Sequence, residues 1–328
     1  MTPLLDVKRL RVRIPGAHGS AFVVDDVSFE ILPGTVFGIA GESGSGKTVS
    51  VLSILGLAPD HSLVEGAAMF GNTDLLKLSP HQLRAIRGKE IGMVFQDPMT
   101  SFHPMLSIGR QLTEHARQHL GLNRDEANRR AIELLNEVRI PDPGGALHAY
   151  PHQFSGGMRQ RLAIAMALMC EPKLLIADEP TTALDVTVQA GILRLLDRLR
   201  KRFNLSVLLI THDLGVLSVI ADQLSIFYAG RVVESGATAD ILMSPRHPYT
   251  AGLLAALPHP EVNDTEPLTP IPGTPPTPEG RPSGCAFHPR CHFATPTCSV
   301  TEQHLVAVNS QTDRKLACAV DPLRGQYP

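Results

Sequence analysis

Eight residues constrain this chain more than any others. Gly41-Glu42-Ser43-Gly44-Ser45-Gly46-Lys47-Thr48 satisfies the GxxxxGK[ST] spacing, directly after the apolar run at 36–40 and directly before a helix-like segment. A strand, a glycine-rich turn and a helix in that order aim backbone N–H groups and a positive helix N-terminus at one anion. In this reading Gly41, Ser43, Gly44 and Gly46 belong to the cradle, Lys47 reaches the terminal phosphates, and Thr48 offers its hydroxyl to Mg²⁺. Such a unit needs an α/β sheet, and the apolar runs at 174–177 and 207–210 read as further buried parallel strands.

A second motif fits the first. The run at 174–177 ends in Asp178-Glu179, two carboxylates at the C-terminal end of a strand, where open α/β sheets place their ligands. Asp178 suits Mg²⁺, and Glu179 suits orienting and polarising an attacking water in an in-line phosphoryl transfer. A third motif, Phe154-Ser155-Gly156-Gly157-Met158, opens an apolar helix running toward Cys170. Ser155 with Gly156 and Gly157 at a helix N-terminus makes another anion site, and one nucleotide pocket has no use for two. That spare site points to a phosphate bound by another subunit; an ordinary Ser N-cap is the plainer alternative.

On these three motifs, over about residues 1–245, the chain resembles the ATPase subunit of an ATP-binding cassette transporter. The resemblance implies roles for more residues. Gln96 matches the family's Q-loop, a metal ligand and sensor at the membrane-subunit contact. Asp185, in Ala183-Leu184-Asp185, matches the D-loop that touches the opposite site. His212 matches the switch histidine near the γ-phosphate. Phe22 is placed like the aromatic residue that stacks on adenine, with core packing as the equal alternative. Ser155, Gly156, Gly157 and Asp185 would then serve the partner's γ-phosphate. The signature carries Phe154 and Met158 where LSGGQ is commonest, and Glu179 is retained, which implies a catalytically complete subunit.

Gln96-Asp97-Pro98-Met99-Thr100-Ser101, Tyr150-Pro151-His152-Gln153, residues 178–189 (DEPTTALDVTVQ) and Arg246-His247-Pro248-Tyr249-Thr250 narrow the resemblance to the dipeptide, oligopeptide and nickel importer branch. Phe102-His103 departs from that branch's Leu-Asn. The implied fold is a P-loop NTPase cassette, α/β in class, with an antiparallel β subdomain and a helical insertion at about 98–170. Residues 5–14 and 24–31 supply half-buried strands, and Ala131, Leu134, Leu135 and Val138 mark one face of a helix. Residues 1–257 form the cassette. Nine prolines among residues 258–282 read as an extended linker. Residues 283–328 form a small extension holding Cys285, Cys291, Cys298 and Cys318, too short to build its own core.

Clustered thiols in a reducing compartment favour metal over disulfides. The spacing C-x₅-C-x₆-C-x₁₉-C lacks the C-x₂-C knuckle of common zinc sites. The family resemblance implies a [4Fe–4S] cluster; Zn²⁺, with His288 and His292 as substitute ligands, and unligated cysteines remain alternatives. Cys170, on the apolar helix, reads as core.

Thirty Lys and Arg against 32 Asp and Glu leave no basic field for nucleic acid, and the N-terminal segment lacks the apolar stretch of a signal peptide. No segment reads as a membrane span. The resemblance implies an ATP-hydrolysing motor, with ATP and Mg²⁺, at the cytoplasmic face of a bacterial inner membrane. Its partners would be a second cassette, usually a paralogue, two transmembrane permease subunits and an extracytoplasmic solute-binding protein. The solute implied is a di- or oligopeptide, with nickel, glutathione or opines as alternatives. A DNA-repair or ribosomal ATPase is a second class, disfavoured because only one cassette is present and no long coiled coil separates Lys47 from Ser155, and a structural or regulatory nucleotide-binding module is a third, disfavoured by Glu179 and His212.

Overall fold

The amino-terminal alternation becomes two long strands, β1 (Leu5–Gly16) and β2 (Gly19–Ile31), each of which changes phase partway. Leu5 and Val7 point inward, and so do Leu10 and Val12, which simple alternation would turn outward. A register shift between Lys8 and Arg11, with Arg9 at φ 50°, resets the pleat. In β2 Asp26, at φ 58°, stands between the inward Val24 and the inward Val27, Phe29 and Ile31.

The structure, a computed structural model, describes residues 2–16, 19–97, 101–182, 184–257, 270–308 and 313–326. The remaining strands are β3 (Val36–Ala40), β4 (Leu63–Phe70), β5 (Thr73–Asp74), β6 (Ile91–Val94), β7 (Leu174–Asp178), β8 (Ser206–Ile210), β9 (Gln223–Tyr228), β10 (Arg231–Ala237), β11 (Val306–Ala307) and β12 (Lys315–Leu316).

The chain packs as two compact units. One comprises residues 31–36 and 78–210. Its parallel strands β6, β7 and β8 are largely buried, as their mainly apolar sequences require. The expected helical stretch is here: Ile108–Leu120 is capped by Ser107 and ended by Gly121 in the left-handed region, and Arg124–Glu137 starts with an Asn123–Glu126 capping box. Ala131, Leu134, Leu135 and Val138 are all buried on one side.

The other unit holds the described parts of 2–30, 37–77 and 211–328. It contains an antiparallel sheet in the order β2-β1-β4-β5, and a run of strands β11-β12-β10-β9-β3 in which β3 and β9 are parallel. Of the proline-rich stretch, residues 258–269 lie outside the described residues, and 270–282 carry neither helix nor strand.

The last segment is held to this unit in several ways. Strand β12 pairs with β10, matching Leu316 to Glu234 and Lys315 to Ser235. The Phe287 ring meets Tyr228 and Tyr249 at centroid distances of 5.2 and 5.3 Å. Arg314 Nε donates to the fully buried Glu234 at 3.1 Å, Arg281 donates to Asp25 at 2.6 Å, and Arg246 pairs with Asp321. A segment too short for a core of its own thus shares the core of the unit it covers.

Candidate active site

Strand β3 delivers the chain to Gly41, and the helix Lys47–Ile54 carries it away. Between them the backbone turns tightly. Gly46 has φ 96°, and a Cβ there would stand 2.6 Å from the Val23 carbonyl oxygen, so glycine is required. Gly46 is also the N-cap, with no side-chain hydrogen bond to cap the helix. Ser43 and Gly44 are exposed, Ser45 is buried, and a Cβ on Gly44 would meet nothing within 4 Å. Buried Lys47 donates from Nζ to the carbonyl oxygens of Gly41 and Glu42 at 2.8 and 2.9 Å. Its ammonium is therefore folded back under the turn, and Thr48 next to it is half-buried.

Glu42 is held from two sides by residues the sequence did not single out as functional. Its backbone N–H donates to the Tyr249 hydroxyl at 2.9 Å. Arg290 grips its carboxylate in bidentate fashion, at 2.7 and 3.0 Å. That hydrogen bond raises the Arg290 guanidinium above its ordinary range, while burial raises the Tyr249 phenol. Tyr249 belongs to the helix Pro248–Ala255, entered through His247, whose Nδ1 accepts the Tyr249 N–H at 3.1 Å. The helix-entry turn expected of His247-Pro248 is present, and burial drops His247 to about 3.

In the same unit Phe22 is only half-buried, with the Arg13 guanidinium 4.3 Å from its ring centroid, so it is not a core residue. His212 is exposed. The cap of the helix Leu214–Ile220 is its neighbour Asp213, which accepts from the Gly215 N–H at 2.8 Å.

The other unit carries the remaining motif residues. Asp178 ends β7 and is buried. Glu179 follows at φ 45°, a left-handed conformation unusual for glutamate, and its N–H donates to the Ile210 carbonyl at 2.8 Å. Its Oε2 accepts from Gln96 Nε2 and from Thr182 Oγ1, both at 2.9 Å. The sequence named Gln96 and Glu179 separately; the structure brings them into contact. Thr182 went unnoticed, although its place three residues after the glutamate was the available signal.

Ser155 is exposed and caps the helix Gly156–Leu168, accepting the Met158 N–H at 3.4 Å. The plainer N-cap reading therefore holds locally, and one helix donor is already engaged. A Cβ on Gly157 would lie 2.7 Å from Val188 Cγ1. Asp185 caps the helix Val186–Phe203, and the Thr187 hydroxyl and Val188 N–H bonded to its carboxylate lower its pKa. Pro98, Met99, Thr100 and Ala183 lie outside the described residues.

Cys285, Cys291, Cys298 and Cys318 are free thiols lining one cleft together with His247 and His288. Burial pushes Cys285 up to about 11 and raises Cys291 and Cys318. Among the described residues no group of three or more His, Cys, Asp or Glu is arranged to hold a metal ion. Cys170 is buried in the other unit.

Comparison with known proteins agrees with this architecture. The family described as ABC transporter matches residues 24–182, and the oligopeptide/dipeptide transporter C-terminal region matches 233–298. The oligopeptide transport ATP-binding protein OppD of Haemophilus influenzae is 48% identical over 92% of this chain and 93% of its own. The dipeptide transport ATP-binding protein DppD of Bacillus subtilis is 49% identical over 89% of this chain and 87% of its own. Among solved structures, the ATP-binding cassette MJ0796, dimeric and bound to ADP and Pi, superposes with a TM-score of 0.64 at 27% identity, covering 71% of this chain and 98% of that one. The chain belongs to the ABC transporter family, in the branch of oligopeptide and dipeptide ATP-binding subunits, and is an ATP-hydrolysing cassette. Among the described residues no helix is long and apolar enough to cross a membrane.

Proposed function

We propose that this chain is the ATP-driven motor subunit of a peptide importer, binding di- and oligopeptide permease subunits at the cytoplasmic face of a bacterial inner membrane. The observation that carries this is the loop at 41–48, where a buried lysine is folded beneath a glycine-rich turn at an uncapped helix N-terminus. Near-full-length likeness to oligopeptide and dipeptide ATP-binding proteins supports the solute class.

In this reading Lys47 leaves its two carbonyl partners for the β- and γ-phosphates of ATP, and Phe22 stacks on the adenine. Thr48, Asp178 and Gln96 would hold Mg²⁺, which would offset negative charge on the phosphates. Glu179 orients a water whose oxygen attacks the γ-phosphorus in line as the bond to the β–γ bridging oxygen breaks, and the water's proton passes toward Glu179. His212 steadies the γ-phosphate. Ser155, Gly156, Gly157 and Asp185 serve the nucleotide of a second, paralogous cassette in a head-to-tail pair. ATP favours the closed pair differentially, which is what lets it move two transmembrane subunits fed by a solute-binding protein.

Residues 283–328 act as an extension in which Cys285, Cys291, Cys298 and Cys318 would hold a [4Fe–4S] cluster, with Zn²⁺ as the competing occupant. Four thiols lining one cleft are the observation that supports a cluster ligand set. When bound, the cluster would supply cross-linking of the extension.

Titration of the full-length chain with Mg·ATP tests the loop. Lys47→Ala is expected to weaken binding roughly tenfold or more, through loss of a charge-assisted phosphate contact. Unchanged affinity would refute the reading.

A further inference from the structure

We propose that Arg290 is a positioning residue for the phosphate loop, neutralising the Glu42 carboxylate so that nucleotide affinity depends on the C-terminal segment being docked. This rests on the loop at 41–48 being the site that binds ATP.

Glu42 occupies the second position of the loop, and its carbonyl oxygen is one of the two acceptors that hold Lys47. An uncompensated carboxylate beside a triphosphate repels it, and in a partly buried setting that repulsion is weakly screened. Arg290 removes the charge. It lies 248 positions further along the chain, and its donors are almost fully employed. Nη1 and Nη2 take the two Glu42 oxygens, Nε donates to the Pro272 carbonyl at 2.8 Å, and Nη1 also reaches the Tyr228 hydroxyl at 3.4 Å. The guanidinium lies 5.7 and 5.9 Å from the Tyr228 and Phe287 ring centroids. Arg290 is 7% exposed, whereas most ion pairs at a protein surface are wet and weak. Its fork and aromatic seat fix the carboxylate, and the Tyr249 hydroxyl fixes the Glu42 N–H.

Mg·ATP titrations of the full-length chain test this with four variants. Arg290→Ala is expected to weaken ATP binding about tenfold, at the lower end of ordinary couplings between sites. Glu42→Gln alone is expected to tighten ATP binding severalfold, because the repelling carboxylate is gone while the Arg290 guanidinium stays beside the loop. Glu42→Gln combined with Arg290→Ala should return affinity to within about threefold of the parent, whereas a purely structural bridge would leave the double variant as weak as Arg290→Ala. Arg290→Lys should recover part of the loss. Parent-like affinity in Arg290→Ala, or no recovery in the double variant, overturns the proposal. Lys47→Ala, titrated alongside, separates the two failures: if it too binds normally the loop reading has failed, and if it alone is impaired only the Arg290 inference has.

Discussion

Gln96 Nε2 donates to Glu179 Oε2 at 2.9 Å, across 83 positions of sequence, and the Thr182 hydroxyl donates to the same oxygen. Two donors on one oxygen fix the plane of a carboxylate whose own backbone is held in the left-handed region. Orientation is what a water-polarising carboxylate needs. Gln96→Ala is therefore expected to lower ATP turnover roughly tenfold while ATP affinity changes little, and Thr182→Val to lower it less. Steady-state kinetics with separate kcat and KM read both. A rise in KM with unchanged kcat would leave Gln96 a role in holding Mg·ATP alone, with none in orienting Glu179.

Ser155 is the residue on which the proposed shared catalysis is tested. Replacing it with Arg should block the anion-facing helix end, so that hydrolysis falls much more than ATP binding to the same chain. Ser155→Ala removes only the cap, costing about 1 kcal/mol of stability. Thermal melts beside turnover assays distinguish the two effects, and full activity of an isolated Ser155→Arg monomer would contradict a shared site.

The sequence exposed those parts of the site whose chemistry is local. A phosphate loop, a Ser N-cap and a His-Pro helix entry are each written within a few neighbouring residues, and the structure contains all three at Gly46, Ser155 and His247. Strand phase was only half visible. Leu5 and Val7 lie on odd positions and Leu10 and Val12 on even ones, and the bulge near Arg9 that reconciles them depends on β4, not on β1 alone. The Arg290–Glu42 and Arg281–Asp25 bridges were invisible for the same reason: no local pattern pairs residues 248 or 256 positions apart. They also explain how a segment lacking its own core stays ordered.

Asp25 gives a pH test of that docking. Burial alone would raise its carboxyl, but hydrogen bonds and charge from Arg231 and Arg281 outweigh this and hold it below the usual range. A lowered native value means its stabilisation is present above the ordinary carboxylate pKa and is lost as pH falls through the native one. Asp25→Asn should cost about 2 kcal/mol at neutral pH, by taking the carboxylate partner from the half-buried Arg231 and Arg281. That difference should shrink below about pH 4. Denaturant titrations across pH check it, and a pH-independent gap would assign the loss to packing.

Metal content tests the cysteine cleft. Anaerobically purified protein is expected to be brown, with about four irons per chain. Cys285→Ser with Cys298→Ser should abolish the iron while leaving Cys170 without effect. A colourless protein with one zinc would assign the cleft to Zn²⁺.

Whether Glu179-dependent ATP hydrolysis drives peptide import is read from ATP turnover by the intact complex with its permease subunits and solute-binding protein. Peptide-loaded binding protein should stimulate ATP turnover severalfold, and Glu179→Gln should reduce that turnover by about a hundredfold or more while trapping ATP in closed cassette pairs. Parent-like turnover in Glu179→Gln, or turnover indifferent to peptide, would refute a Glu179-driven peptide importer.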